Sequence, residues 1–309
     1  MRISCIDIGT NTILLLVADT DHKRITGVVH DEQVIARLGK GVDEHHIINK
    51  ETMHRAAGFL KAYADTTRRL NSEKIIAVGT SALRDATNKA EFCKFIASET
   101  GIEVEIISGD EEAEWTYRGA IDEDVAAASS YSVLDIGGGS TEIISGTRSV
   151  ITRKRSLDIG CVRMTERYLR TSPPMSLEVA EAQRFIRTQL KSADLGPVGN
   201  SKVIGVAGTV TTLAAIHLQL STYDPKIVQG HVLSYDEIRQ IFNQFRIKTL
   251  EEIRHIPQIS QGRGDIILAG MLILLEFMEA AGLEEIMVSD RGLRYGIILR
   301  EIGRRKKPH

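Results

Sequence analysis

The chain has 309 residues, a formal net charge of −2, 42% hydrophobic residues and three cysteines. This length and composition predict about two globular domains, and the near-neutral charge excludes a general attraction to nucleic acid or to an anionic membrane. The odd count of cysteines, without metal-ligand spacing, is typical of a reducing compartment. No apolar run is long enough for a membrane span, and the first strand begins too near Met1 to leave room for a signal peptide, so we expect a cytoplasmic protein.

The first half of the chain is predicted to open with an antiparallel meander. Apolar runs separated by short polar turns predict strands over residues 3–8, 13–19 and 26–37. Helical periodicity and turn signals then predict a helix over 50–71, a strand over 74–78, a helix over 88–100, a strand over 104–107 and a helix that opens at 109–112. Such alternation of strands and helices is typical of mixed α/β layers.

The second half repeats this order. We predict strands over 132–136, 142–145, 149–157, 202–206 and 285–288, and helices over 160–169, 177–191, 209–220 and 292–302, with two further helices between residues 220 and 285. The small-residue run Ala126–Ser130 marks the expected boundary. The predicted domains are therefore 1–125 and 126–309, with the last helix a candidate for packing back on the first domain.

The strongest evidence for duplication is a repeated strand ending. Asp7-Ile8-Gly9 recurs as Asp135-Ile136-Gly137, 128 positions later, and the strand-to-turn segments at Gly79 and Gly208 are 129 positions apart. Each copy places an aspartate beside a turn rich in glycine and hydroxyl side chains. We interpret the two turns as phosphate-binding loops that face each other across a cleft.

The second of these loops carries the clearer chemistry. Three glycines allow close backbone approach to a ligand, and the residues that follow add hydroxyl groups that suit a phosphate. The predicted phosphate contacts here are Gly137, Gly138, Gly139, Ser140 and Thr141. Asp135 precedes them at the end of a strand, where an oxygen ligand for Mg²⁺ is expected. A glycine-rich turn that merely closes a hairpin is the alternative.

The first loop and the segment after the fourth strand offer further polar side chains. Thr10, Asn11 and Thr12 occupy the tight turn of the first copy, and Ser81 and Arg84 follow the strand that ends near Gly79. An arginine can bind a terminal phosphate through two parallel hydrogen bonds. The alternative for Arg84 is an ion pair with Asp85 or another carboxylate.

Basic residues and a second helix start extend the candidate anion surface. Gly208 and Thr209 open a helix whose unpaired amides would favour an anion. Arg153 and Arg155 share one strand face, and Arg163, Arg167 and Arg170 share a helix stripe. This stripe is either an ordinary solvated face or part of a basic channel for a long polyanion.

Glu111 and Glu112 lie in the first turn of a predicted helix, after Ser108. Acidic residues are favoured there by the helix dipole in any protein, so simple capping accounts for them. Hydrolysis of a bound phosphate, however, needs a carboxylate that accepts a proton from water. The two glutamates point to different sides of the helix, and spacing alone does not choose between them.

Several motifs together resemble those of the exopolyphosphatase/guanosine pentaphosphatase family. They are DIGTNT (residues 7–12), GTSALRDATN (79–88), ISGDEEA (107–113), DIGGGSTE (135–142), AGTVTTLAA (207–215) and SDRGLRYGI (289–297). They occur in the family's order over nearly the whole chain. The resemblance implies an α/β fold with two ribonuclease H-like domains of the actin-like ATPase superfold around a central cleft.

The resemblance also implies roles for individual residues. Glu112 matches the family's catalytic base, and Asp135 and Glu142 match its metal-binding and active-site carboxylates, with Asp7 a further metal candidate in the first copy. Asn11, Arg84 and residues 137–141 match phosphate contacts. We therefore expect a Mg²⁺-dependent phosphatase, with Mn²⁺ as an alternative metal, that removes the terminal phosphate of inorganic polyphosphate by attack of a base-activated water.

Other functions remain open at this stage. The same loops and base would serve guanosine pentaphosphate, and a non-catalytic regulator that binds guanosine tetraphosphate or pentaphosphate is a third reading. A sugar or acetate kinase of the same superfold is disfavoured because AGTVTT is a poor nucleotide-pocket motif. We expect the short two-domain form of the family, without the added helical domain of longer members, so a complete channel for long polyphosphate would need another source, such as a homodimer.

Overall fold

The computed structural model describes residues 1–121, 127–196, 198–260 and 262–305. The chain divides into two compact units: the first contains residues 1–119 and 293–309, and the second contains residues 120–292. The boundary predicted between residues 125 and 126 lies outside the described residues. Among the described helices, none combines the length and hydropathy that crossing a bilayer requires.

The strands and helices are numbered in chain order. The strands are β1 (Arg2–Ile8), β2 (Thr12–Thr20), β3 (Ile25–Ile35), β4 (Lys74–Gly79), β5 (Val104–Ile106), β6 (Tyr131–Ile136), β7 (Thr141–Gly146), β8 (Ile151–Leu157), β9 (Lys202–Val206), β10 (Val232–Ser234) and β11 (Glu285–Val288). The helices are α1 (Val42–His45), α2 (Lys50–Arg69), α3 (Ser81–Asp85), α4 (Lys89–Thr100), α5 (Gly109–Ala120), α6 (Cys161–Tyr168), α7 (Ser176–Ser192), α8 (Ala207–His217), α9 (Pro225–Val228), α10 (Tyr235–Phe245), α11 (Leu250–Arg254), α12 (Ile267–Ala281) and α13 (Leu293–Arg305).

The first unit is built on a five-stranded sheet in the order β3-β2-β1-β4-β5. The first three strands form the predicted antiparallel meander, whereas β4 and β5 run parallel to β1. Side chains alternate between the two faces of a strand, so Ile6 and Ile8 enter one buried cluster while Ile3 and Cys5 enter another. The sheet is therefore covered on both faces, with α2 and α4 on one and α13 on the other.

The second unit is built on a six-stranded sheet in the order β10-β11-β9-β6-β7-β8. Again the first three strands of the unit pair antiparallel, and β9 runs parallel to β6. The strand β10, three residues long, was not predicted. It pairs antiparallel with β11 and closes one edge of the sheet.

The helix α12 forms the centre of the second unit's core. Every residue from Ile267 to Met278 is buried, including Glu276. A buried carboxylate is tolerated when it is paired, and Glu276 accepts a 2.8 Å hydrogen bond from the side chain of Gln183 and forms an ion pair with Arg187. The apolar run near residue 270 is thus a core helix.

The duplication extends to the register of the two sheets. Asp7 lies opposite Val78 on the parallel neighbour strand, and Asp135 lies opposite Val206, so one offset of 128 positions relates both pairs. At the other end of each sheet, Ser4 is hydrogen-bonded to Ser72 at 2.6 Å. The second unit repeats this contact between Ser201 and Ser132 at 2.7 Å.

Candidate functional site

The loop of the first unit is held by its own backbone. The amide of Gly9 donates to the carbonyl of Thr12 at 3.0 Å, while the carbonyls of Thr10 and Asn11 accept from the amides of Gly39 and Arg37 at 2.8 and 2.9 Å. Thr10, Asn11 and Thr12 are all buried. The turn predicted from sequence is therefore tight and fixed from one side by the segment that follows β3.

Asn11 has the clearest unmet hydrogen-bonding capacity in this loop. Its side chain is 7% exposed, and its Nδ2 atom is buried with no hydrogen-bond partner in the described chain. A buried donor left unsatisfied costs about 1–3 kcal/mol. An anionic oxygen placed against this nitrogen would remove that cost.

Arg84 and Glu112 form an ion pair within the first unit. Arg84 lies in α3, directly after β4, and its Nη1 atom donates to Glu112 Oε2 at 2.5 Å and to the carbonyl of Ile107 at 3.3 Å. Glu112 is 8% exposed. Burial raises the pKa of Glu112, and the positive charge of Arg84 opposes that rise.

Glu111, the neighbouring candidate, is bound differently. It is exposed, and its Oε2 atom accepts from both the amide and the hydroxyl of Ser108 at 2.9 Å. These hydrogen bonds lower the pKa of Glu111. Glu111 therefore caps α5, whereas Glu112 is the carboxylate held in a buried setting beside an arginine.

The loop of the second unit repeats the backbone arrangement of the first. Gly137 donates to the carbonyl of Ser140 at 3.0 Å, as Gly9 does to Thr12. The carbonyls of Gly137, Gly138 and Gly139 accept hydrogen bonds from the start of α6, donated by the Cys161, Val162 and Arg163 amides and the Arg163 guanidinium.

These bonds set the direction of the loop's amides. In a trans peptide the N–H points away from the preceding carbonyl. Because the three glycine carbonyls turn toward α6, the amides of Gly138, Gly139 and Ser140 turn to the opposite side. This is the arrangement in which successive backbone amides can bind an anion.

Two glycines that were not predicted as site residues allow neighbouring segments to pack closely against the two loops. A Cβ atom on Gly160 would lie 2.3 Å from the carbonyl carbon of Gly138, and one on Gly39 would lie 2.2 Å from the Thr10 methyl group. Each residue thus supports one loop, at a point where only a hydrogen fits. Isolated glycines carry no local signal of such a contact, so the sequence did not reveal them.

Asp135 and Glu142 lie directly opposite each other on β6 and β7. Opposed residues of an antiparallel pair project from the same face with Cβ atoms about 4.5–5.5 Å apart. Carboxylate oxygens fit Mg²⁺, which is commonly held by one or two carboxylates together with waters and substrate phosphate. Among the described residues, no group of three or more His, Cys, Asp or Glu side chains is arranged to hold a metal ion. Asp7, the third predicted ligand, lies opposite Leu14, whereas Asp135 lies opposite Glu142.

Two predicted phosphate contacts, Thr141 and Thr209, have side chains that contact other segments of the second unit. The Thr141 hydroxyl donates to the carbonyl of Ile159, and the Thr209 hydroxyl lies where a Cβ on Gly270 would be 2.2 Å from it. We therefore assign these two side chains to holding their loops in place. Ser81 and Ser140 are buried at the start of α3 and in the second loop.

Arg263 lies against the start of α8, where the sequence predicted an anion site. A Cβ on Gly208 would be 1.2 Å from Arg263 Nη1, so the guanidinium rests directly on that glycine. Arg263 comes from the segment before α12, and no local pattern marks it. It adds a positive charge to the loop at Gly208 that sequence reasoning missed.

The basic residues of the second unit have different surroundings. Arg163 is 8% exposed and its Nε donates to the Gly139 carbonyl at 2.7 Å, whereas Arg167 on the same helix is exposed. The prediction that Arg170 shares this helix stripe is wrong, because α6 ends at Tyr168 and Arg170 lies exposed beyond it. Arg153 forms an ion pair with Asp194. The predicted helix stripe is therefore divided between one buried loop contact and two surface charges.

The fold and the paired loops define the class of protein: a duplicated α/β chain with one amide-presenting loop in the second unit and a matching tight loop in the first. The model of the Ppx/GppA phosphatase family matches residues 16–305. Exopolyphosphatase 2 of Mycobacterium tuberculosis is 34% identical over 312 residues, covering 96% of this chain and 98% of that protein. The chain belongs to the Ppx/GppA phosphatase family.

Further relatives support the same placement. The guanosine-5'-triphosphate,3'-diphosphate pyrophosphatase of Vibrio cholerae is 28% identical, covering 96% of this chain and 58% of that protein. The crystal structure of the Aquifex aeolicus family member is 31% identical with a TM-score of 0.83, covering 100% of this chain and 99% of that one. The predicted fold class, α/β with two ribonuclease H-like domains of the actin-like ATPase superfold, is confirmed.

Proposed function

We propose that the protein is an exopolyphosphatase that hydrolyses the terminal phosphate of inorganic polyphosphate. The observation that carries this proposal is the buried Glu112 carboxylate in contact with Arg84. A buried carboxylate with a raised pKa is suited to accept a proton from water, and an adjacent guanidinium is suited to a terminal phosphate. The similarity to an exopolyphosphatase over nearly the full length of both chains supports this substrate.

In the proposed reaction, water attacks the terminal phosphorus and transfers a proton to Glu112. The bond to the bridging oxygen breaks, and the shortened chain leaves with the electron pair on that oxygen. Within the first unit, Arg84 and the side-chain amide of Asn11 would stabilise the charge on the transferring phosphoryl group. Within the second unit, the backbone amides of residues 138–140 would bind phosphate oxygens.

Arg84 would serve two groups in turn. It is bound to Glu112 in the structure, and an incoming phosphate would compete with that carboxylate for the guanidinium. When the bond to Arg84 is lost, its positive charge no longer stabilises the ionised form of Glu112 as strongly, so the pKa of Glu112 rises. Substrate binding would therefore make Glu112 a stronger base when water must be deprotonated.

The metal is part of the proposal. Asp135 and Glu142 would hold Mg²⁺, or Mn²⁺ in its place, and Asp7 is a further candidate ligand in the first unit. A bound divalent cation would neutralise charge on the phosphate oxygens. Ser156 donates to Glu142 Oε1 at 2.7 Å, so one oxygen of that carboxylate already has a fixed partner.

Hydrolysis of guanosine pentaphosphate is the second candidate function. It is favoured by the similarity to the Vibrio cholerae enzyme, which is named for a guanosine substrate. We rank it below polyphosphate because the identity is lower and this chain covers a smaller part of that protein. A regulator that binds guanosine tetraphosphate or pentaphosphate without hydrolysis is the remaining alternative.

The role of Glu112 as the base is tested by replacing each of the two neighbouring glutamates with glutamine. Glu112→Gln should lower kcat for phosphate release from polyphosphate by about 10²- to 10⁴-fold, the usual contribution of a general base. Glu111→Gln is the matched control, because glutamine can also cap α5, and it should keep activity near the unmodified level. Equal activity of both variants would refute the assignment of Glu112.

A further inference from the structure

Three polar residues form a row across one face of the second unit's sheet. Asp135 on β6 lies opposite Glu142 on β7, and Glu142 lies opposite Ser156 on β8. Their neighbours Leu134, Ile143 and Leu157 belong to the buried cluster on the other face. The strand register therefore places Ser156 beside the acidic pair, although it is far from both in sequence.

Ser156 makes a direct hydrogen bond to Glu142. The distance from Ser156 Oγ to Glu142 Oε1 is 2.7 Å, and Glu142 is 0% exposed. The terminal torsion of a glutamate is broad and soft, so a donor bound to one oxygen restricts where the other oxygen points.

The position of Ser156 argues against a role in stability alone. It is exposed and lies on β8, the edge strand of the sheet, where water could replace most contacts of a hydroxyl. A neutral hydroxyl placed against a fully buried carboxylate is typical of the groups that orient metal ligands. The contact therefore acts mainly on the orientation of Glu142.

We propose that Ser156 is a positioning residue that orients the Glu142 carboxylate for a divalent cation beside Asp135. This inference rests on the proposed function in one respect, that Asp135 and Glu142 hold the cation. It adds a residue to the site that neither the motifs nor the resemblance indicated.

The test measures Mn²⁺ binding by electron paramagnetic resonance on the full chain, without substrate. Ser156→Ala should weaken Mn²⁺ binding by about tenfold or more, the usual effect of removing an orienting partner. Ser156→Thr keeps the hydroxyl and should restore the affinity. Thr152→Ala is the control, because Thr152 lies on the same strand and donates to the Ser145 carbonyl instead. The activity of Ser156→Ala should recover at saturating Mn²⁺.

Three results would overturn the positioning role. They are equal Mn²⁺ affinity in Ser156→Ala and the unmodified chain, failure of Ser156→Thr to restore affinity, and absence of Mn²⁺ binding by the unmodified chain. The proposed function is judged separately by phosphate release. A chain that binds Mn²⁺ in a Ser156-dependent way but releases no phosphate would refute the hydrolase and leave the positioning role intact.

Discussion

Glu111 and Glu112 are neighbours in sequence with opposite environments. The Ser108 hydrogen bonds lower the pKa of Glu111, while burial raises the pKa of Glu112. An acidic first turn predicted two carboxylates, but only the tertiary position of α5 decides which one is buried. The distinction therefore depends on packing that the sequence pattern does not contain.

The pH dependence of activity should report the Glu112–Arg84 pair. Glu112 must be ionised to accept a proton, so activity should fall on acidification through a pKa above that of an ordinary glutamate. Arg84 lowers that pKa. Arg84→Gln should move the acidic limb of kcat/KM, which reports the free enzyme, to higher pH. It should also reduce kcat by about 10²-fold, as for loss of a group that stabilises charge.

The control for this pH experiment is Arg118→Gln. Arg118 lies on the same helix as Glu112 but pairs with Glu114 at the surface. Its removal should leave the acidic limb in place. If the acidic limb of the pH profile does not move in Arg84→Gln, or moves equally in both variants, the electrostatic coupling between Arg84 and Glu112 is contradicted.

Sequence reasoning was strongest where residues lie in one continuous motif. The motifs selected Asn11 and Arg84 in the first unit, and the family resemblance selected Glu112 over Glu111. The structure brings Arg84 and Glu112 into contact. It missed Arg263 and Ser156, because each reaches the site through a tertiary contact or strand register. Local patterns do not encode those contacts.

At the scale of elements, α13 packs closely on α5 within the first unit. A Cβ on Gly296 would be only 1.7 Å from the carbonyl oxygen of Trp115. Ion pairs from Arg300 to Glu105 and from Glu301 to Lys74 reinforce the placement of α13. A chain segment after residue 292 thus completes the unit that contains Glu112.

Two glycines of α13 give a matched test of this packing. Gly296→Ala should lower the free energy of unfolding by about 2–4 kcal/mol, because the backbone of α5 must move. Gly303→Ala meets no atom within 4 Å and should raise it by about 0.5–1 kcal/mol, the helix preference for alanine. Denaturant unfolding measures both. Similar values for the two variants would contradict the contact.

Long periodic elements were predictable, whereas only some of the short ones were. The helix α2 and the meander strands follow clear apolar periods and were predicted within a few residues. The strand β10 and the short helix α3 contain three and five residues. The structure of β10 is set by pairing with β11, which is distant in sequence. The helix α3 is a short turn directly after β4 and is too brief to show a helical period.

At the scale of the whole molecule, each unit has its own buried core. The largest cluster lies entirely within the second unit, and two smaller clusters cover the faces of the first sheet. Duplication was predictable from the repeated DIG segments. The contribution of α13 to the first unit follows from tertiary packing, since Ile297, Ile298 and Ile302 join the cluster of Ile3 and Cys5.

Truncation should separate the stabilities of the two units. A chain ending at Gly292 loses the α13 side chains that bury one face of β1 and β2, so amides of the first sheet should lose protection from hydrogen exchange. Amides of β6, β7 and β9 should stay protected. A chain ending at Arg305 retains α13 and is the control. Unchanged protection of β1 and β2 after the longer truncation would contradict the assignment.

The most direct test of the proposed activity is phosphate release from three substrates measured side by side with Mg²⁺. They are short-chain polyphosphate, long-chain polyphosphate and guanosine pentaphosphate, each with Glu112→Gln as the control. We predict that kcat/KM is highest for polyphosphate and is lost in the variant. Preference for guanosine pentaphosphate, or no release from any of the three, would contradict the assignment as an exopolyphosphatase.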